Sequence, residues 1–167
     1  MKYNRLILFV LTLMLIFTAA CSNEEANTES IIENAVFVDL DGNEVSVKDF
    51  KGKFVMIDFW ESWCAPCLQV FPSLNELRAE FPDDFEVLAV TPGLVEGPED
   101  ARRFKERHDY DFNWLYDENG IFEKIGGFGI PFKAYIDPDG NFIKLEMGSR
   151  GRQGDYNHTK AMIQEYF

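Results

Sequence analysis

The chain has 167 residues, enough for one domain with a proper core, and carries a formal charge of −13 at pH 7. That acidity excludes nucleic acid and an anionic membrane surface as electrostatic partners. Hydrophobic content of 46% and aromatic content of 15% fit a globular protein.

The first twenty residues stand apart from the fold. Lys2 and Arg5 precede Leu6–Phe17, a run broken only by Thr12 and too short for the roughly 20 apolar residues that span a bilayer. Thr18-Ala19-Ala20 then leads to Cys21. Residues 1–20 resemble a bacterial lipoprotein signal, in which Cys21 is lipidated and becomes the first residue of the mature protein. Thr18 departs from the Leu that this pattern prefers three places before the Cys. The alternative is an ordinary secretory signal that leaves Cys21 as a spare thiol. In both cases the domain is exported. Three Cys in an exported protein leave one odd thiol, and lipid on Cys21 removes it. Residues 21–30, with Glu24, Glu25 and Glu29 among small polar residues, read as the lipidated Cys and a flexible tether, and 31–167 as the folded domain.

Val36–Val38 and Glu44–Val47 flank Asp41-Gly42-Asn43, a hairpin signal. Lys48–Gly52 turns into the apolar run Phe54–Trp60, which predicts a buried strand of a parallel sheet. Trp63-Cys64-Ala65-Pro66-Cys67 follows, ahead of a helix over Leu68–Glu80. A helix N-terminus offers unpaired N–H groups and the positive end of its dipole, so the first thiol ionises more easily. Pro66 suits the first turn, where its missing donor costs nothing. Two thiols so placed point to redox chemistry. A zinc site would need about four ligands, and only Cys21 and the distant His108 and His158 remain. A purely structural disulfide would close a very small loop and gain little chain entropy. Asp58, inside the apolar strand, is expected to be buried and therefore to have a role or a partner.

Val70, Phe71, Leu74 and Leu77 give the helix an apolar face, with Pro72 expected to kink it. Phe85–Val90 is the next strand. Thr91–Gly97 is a Gly- and Pro-rich loop without the Lys-Ser/Thr signature of a phosphate cradle. Pro98 opens a helix to His108, an exposed helix-end residue rather than a base. Phe112–Tyr116 is extended, and Asn119–Ile125 a short helix ended by Gly126-Gly127. Phe132–Ile136 and Asn141–Met147 flank the turn Asp137-Pro138-Asp139-Gly140. Gly148–Gly154 reads as a loop, and Asp155 as the cap of a final helix, Tyr156–Phe167. Trp60, Phe59 and Phe71 read as core, and Glu61 as solvated surface. The order β-β-β-α-β-α-β-α-β-β-α predicts the α/β class, a mixed sheet with helices on its faces.

From Phe37 to Phe167 the chain resembles the thioredoxin fold and, within it, exported TlpA/ResA-like thiol-disulfide oxidoreductases. The resemblance rests on Asp41-Gly42, Lys51-Gly52-Lys53, Asp58-Phe59-Trp60 before Trp63-Cys64-Ala65-Pro66-Cys67, Phe71-Pro72, and Gly129-Ile130-Pro131 ahead of Ile136–Gly140. It implies a three-layer sandwich with an extra N-terminal β-hairpin. It also implies a Cys64–Cys67 redox disulfide, with Cys64 as nucleophile and the more buried Cys67 resolving. Asp58 stands where thioredoxins keep a buried carboxylate, here read as the acceptor of the Cys67 proton. Pro131 is expected to be cis, with Ile130 and Phe132 making an apolar groove. Trp63, Ala65, Pro66, Ile130 and Pro131 would contact substrate. Phe132 replaces the Thr common after the cis-proline, and Val70 and Phe71 stand where some members place a Glu; both changes bear on substrate. The expected protein is a monomeric, lipid-anchored reductant of exported protein disulfides, without metal or cofactor. It would be fed by a membrane electron donor, as the family's cytochrome c maturation members suggest. The alternatives are a thiol peroxidase, whose Pro-x-x-x-Thr/Ser-x-x-Cys frame residues 56–64 do not supply, and a non-catalytic peptide-binding module.

Overall fold

The computed structural model describes residues 27–167. The expected leader and Cys21 lie outside the described residues. Residues 27–33 are helical, so order begins before the expected boundary at Ile31. The reason is packing: Ile32 and Ala35 are fully buried against one face of the sheet, which fixes the polar residues just before them.

The hairpin forms as β1 (Val36–Asp39) and β2 (Glu44–Ser46), its turn held by the Asp39 carboxylate, which accepts from the Asp41 and Asn43 amides. A 3-10 turn over Val47–Phe50 leads into β3 (Phe54–Phe59). Then come α1 (Ala65–Glu80), β4 (Phe85–Thr91), α2 (Pro98–Lys105), β5 (Asn113–Tyr116) and α3 (Ile121–Lys124). β6 (Phe132–Ile136), β7 (Phe142–Met147) and α4 (Gly151–Ile163) complete the chain. The seven strands run β2-β1-β5-β4-β3-β6-β7, with β3, β4 and β5 parallel and the outer pairings antiparallel. The fold is the expected thioredoxin-like α/β sandwich.

β3 and β4 are buried along their whole length, which explains why they read as unbroken apolar runs. Successive side chains go to opposite faces. Phe54 and Met56 of β3 meet Val70, Phe71 and Leu74 of α1, Phe104 of α2 and Ile163 of α4. Val55, Ile57 and Phe59 meet Ile32, Phe122 of α3 and Phe132 of β6. α1 begins three residues earlier than the apolar periodicity indicates, at Ala65, and continues through Pro72. α4 also differs from expectation. It starts at Gly151, because the Ser149 hydroxyl accepts the Gly151 amide and the Asp155 carboxylate accepts the Arg150 amide. Asp155 thus lies inside the helix, where tertiary contacts override the low helix propensity of Gly151 and Gly154. Among the described residues no helix is long and apolar enough to cross a membrane.

Candidate functional site

Where β3 gives way to α1, Trp60 donates its amide to the Val90 carbonyl and the chain then turns so that Cys64 becomes the N-cap of α1. The Cys64 Sγ accepts from the Cys67 amide at 3.3 Å. Ala65 and Pro66 occupy the first helical positions and are exposed, as a proline without a donor permits there. Cys64 and Cys67 are joined by a disulfide, with Cα atoms 5.3 Å apart. Cys67 is fully buried and Cys64 nearly so, at 2% exposure. Both sulfurs are therefore recessed, and the residues around them decide access.

The Ile130–Pro131 bond is cis, as expected, and the Pro131 carbonyl accepts from the Gly148 amide at 2.8 Å. Ile130 is half-buried and packs against the cluster that contains both cysteines. Phe132 does not join it in lining a groove. Alternation along β6 sends its ring to the opposite face, against Phe59 and Phe122.

Asp58 is fully buried, and neither of its carboxylate oxygens has a hydrogen-bond partner among the described residues. By alternation it shares the α1 face with Met56. Burial pushes its carboxyl up to about 7, against the pull of Lys133 and with a further push from Asp155. Lys133 stands directly across the β3–β6 ladder from Asp58 and is itself fully buried. Its ammonium donates to the Gly148 carbonyl at 2.9 Å and to Asp155 Oδ1 at 3.2 Å. The other Asp155 oxygen takes the Ser149 hydroxyl and the Arg150 amide. One cation thus faces two carboxylates, only one of which is hydrogen-bonded. Asp58 is the one without a hydrogen bond, on the side of the sheet that carries the disulfide.

Glu61 is not the solvated surface residue its sequence context suggests. It is fully buried, because the Trp63 indole and the Leu94 and Val95 amides all donate to its carboxylate. From the sequence alone Lys133 carries no role, Asp155 reads as a helix cap and Glu61 as solvated surface. The signal for Lys133 was available, a lone cation in the apolar run Phe132–Ile136, as Asp58 was a lone anion in its own strand. His108 is exposed as expected, stacked on Phe104. A cavity of about 920 Å³ lined by Asn27, Glu29, Lys124, Phe142 and Leu145 holds none of the site residues.

A model of the AhpC/TSA family matches residues 16–144. The chain belongs to that family. It is 29% identical over 177 residues to the thiol-disulfide oxidoreductase ResA of Bacillus thuringiensis subsp. konkukian, a match covering 99% of this chain and 96% of that protein. Among solved structures it is similar to the pneumococcal exposed lipoprotein thioredoxin Etrx1 of Streptococcus pneumoniae, with 29% identity and a TM-score of 0.66 over 79% of this chain and 98% of that one. It is likewise similar to a Chlorobium tepidum protein assigned as the thiol:disulfide interchange protein DsbE, with 28% identity and a TM-score of 0.69 over 80% and 92% of the two chains. With a C-x-x-C disulfide at the head of α1, the protein is a thiol-disulfide oxidoreductase of the ResA/DsbE type.

Proposed function

We propose that the protein is a lipid-anchored reductant of disulfides in exported proteins, held to the membrane through Cys21 and supplied with electrons by a membrane dithiol donor. The observation that carries the chemistry is Cys64 at the N-cap of α1, its Sγ within reach of the Cys67 amide. A thiolate there is stabilised by that N–H and by the helix dipole. In the reduced protein the Cys64 thiolate attacks one sulfur of a substrate disulfide, and the other substrate sulfur leaves as a thiolate. Cys67 then gives its proton to Asp58 and attacks Cys64 Sγ in the mixed disulfide. The second substrate thiolate leaves, two electrons have passed to the substrate, and the Cys64–Cys67 disulfide is formed. The donor dithiol reverses this exchange and restores the thiols.

The leader before Cys21 and the exposed lipoprotein among similar structures support the anchor. The similarity to ResA and DsbE supports thiol-disulfide exchange, and the reductive direction, as in cytochrome c maturation, is what the family resemblance implies. The test is to express Cys67→Ser in the native host and identify proteins trapped on Cys64 by mass spectrometry. Cytochrome apoproteins among the adducts are the expected result. A broad set of exported proteins without them would overturn the reductant reading in favour of oxidase or isomerase work. A Cys21→Ser protein that stays with the membrane fraction would overturn the anchor.

A further inference from the structure

The turn between Trp60 and Cys64 is tied to the loop after β4 by two carboxylates. Glu61 Oε2 accepts the Trp63 indole N–H at 2.6 Å, and Oε1 accepts the Leu94 amide at 2.6 Å and the Val95 amide at 3.1 Å. Glu96 replies from the loop, accepting the Ser62 amide at 2.6 Å and the Ser62 hydroxyl. Neither carboxylate has an ion-pair partner among the described residues. Burying a carboxylate such as Glu61 with only N–H groups for partners is costly, so the arrangement calls for a return.

What the latch holds is apolar and in water. Trp63 is 56% exposed, Leu94 44% and Val95 78%. The Trp63 indole and the Leu94 and Val95 amides all meet one carboxylate, which brings the three residues together, and Trp63 adjoins Cys64 in the chain. Large apolar side chains grouped at the surface mark an interaction site. Here the occupant follows from the chemistry. Cys64 bonds covalently to a cysteine of its substrate, so the segment lying over the lip is the polypeptide flanking that cysteine.

We propose that Glu61 is a positioning residue. Its carboxylate holds Trp63 and the Leu94–Val95 loop outward as an apolar lip beside Cys64, and this lip selects polypeptides with apolar side chains next to the cysteine under attack. The inference rests on Cys64 being the attacking sulfur. Glu96 is the outer half of the same latch.

The test uses the reduced full-length chain and two disulfide-linked peptides of equal length and charge, one with Leu and Phe flanking its cysteine and one with Ser in both places. Second-order rate constants are read by acid-quenched mass spectrometry. The wild-type protein prefers the apolar peptide by about tenfold, the effect of partly burying one large side chain. Glu61→Gln, which keeps the volume but cannot accept all three N–H groups, brings the ratio to about two or below; Glu96→Gln, at a less buried position, moves it in the same direction. A ratio unchanged by both variants overturns the proposal, as do equal wild-type rates on the two peptides. So does a parallel loss on both peptides, the mark of a merely structural role. A wild-type protein inert to both peptides overturns the exchange reading itself and this inference with it.

Discussion

On β3, Val55, Ile57 and Phe59 face one side of the sheet and Phe54, Met56 and Asp58 the other; on β6, Phe132, Ala134 and Ile136 are set against Lys133 and Tyr135. The first side is a dry apolar layer beneath α3 and the N-terminal helical residues. The second carries equally buried strands, yet it contains a carboxylate, an ammonium and a second carboxylate from α4, all within the layer of the disulfide. Alternation alone separates them. Substitutions on the first side should therefore change stability without changing chemistry, and those on the second should change both.

The largest expected effect is Cys64→Ser, which removes the attacking thiolate and lowers the reduction of a model disulfide by about 10³-fold or more. Residual activity near wild type, followed by thiol release, would break the contrast between the two sides at its root.

Asp58→Asn should slow resolution of a mixed disulfide by about 10²-fold while leaving initial attack within about threefold, read by stopped-flow fluorescence. In the wild-type protein resolution should accelerate as pH rises through about 7, where the Asp58 carboxylate forms, and the Asn variant should lack that step. Stability moves with the opposite sign. The folded carboxyl holds a proton that the unfolded chain has lost from near 3.8 upward, so stability falls as pH rises from there to about 7 and then levels off. Asp58→Asn abolishes that fall, and its advantage over wild type should grow from near zero at about pH 4 to at most about 4 kcal/mol at about pH 8. Urea unfolding at the two pH values checks it.

Lys133→Met leaves two carboxylates buried without their cation and should cost about 3–5 kcal/mol in urea unfolding. Because Lys133 pulls the Asp58 carboxyl down, its loss should also move the pH midpoint of resolution upward. On the dry side, Ile57→Val should cost only about 0.5–1.5 kcal/mol, with no change in the pH dependence of either stability or rate. A pH-dependent effect of Ile57→Val would blur the separation of the two sides.

Much of this arrangement was legible in the sequence, because it was local. The apolar run of β3, the C-x-x-C pair, Pro66 in the first turn and the lone Asp58 each announce themselves within a few residues. The cis bond before Pro131 came from resemblance rather than from pattern. What stayed hidden depended on long-range pairing. Lys133 acquires its meaning only once β6 is registered against β3, which puts it across from Asp58. Glu61 looked like surface because the loop that covers it lies more than thirty residues away in the chain. Asp155 looked like a helix cap, since a stretch framed by Gly151 and Gly154 reads as a loop unless something outside it, here Ser149 and Lys133, fixes the turn.

The most direct test of the central claim is differential alkylation of the reduced protein near neutral pH, quenched over time and mapped by mass spectrometry. The account predicts that Cys64 is modified first while Cys67 is spared, and that unmodified protein returns to the Cys64–Cys67 disulfide in an oxidising glutathione buffer. Modification of Cys67 first, or thiols that never re-form the disulfide, would contradict it.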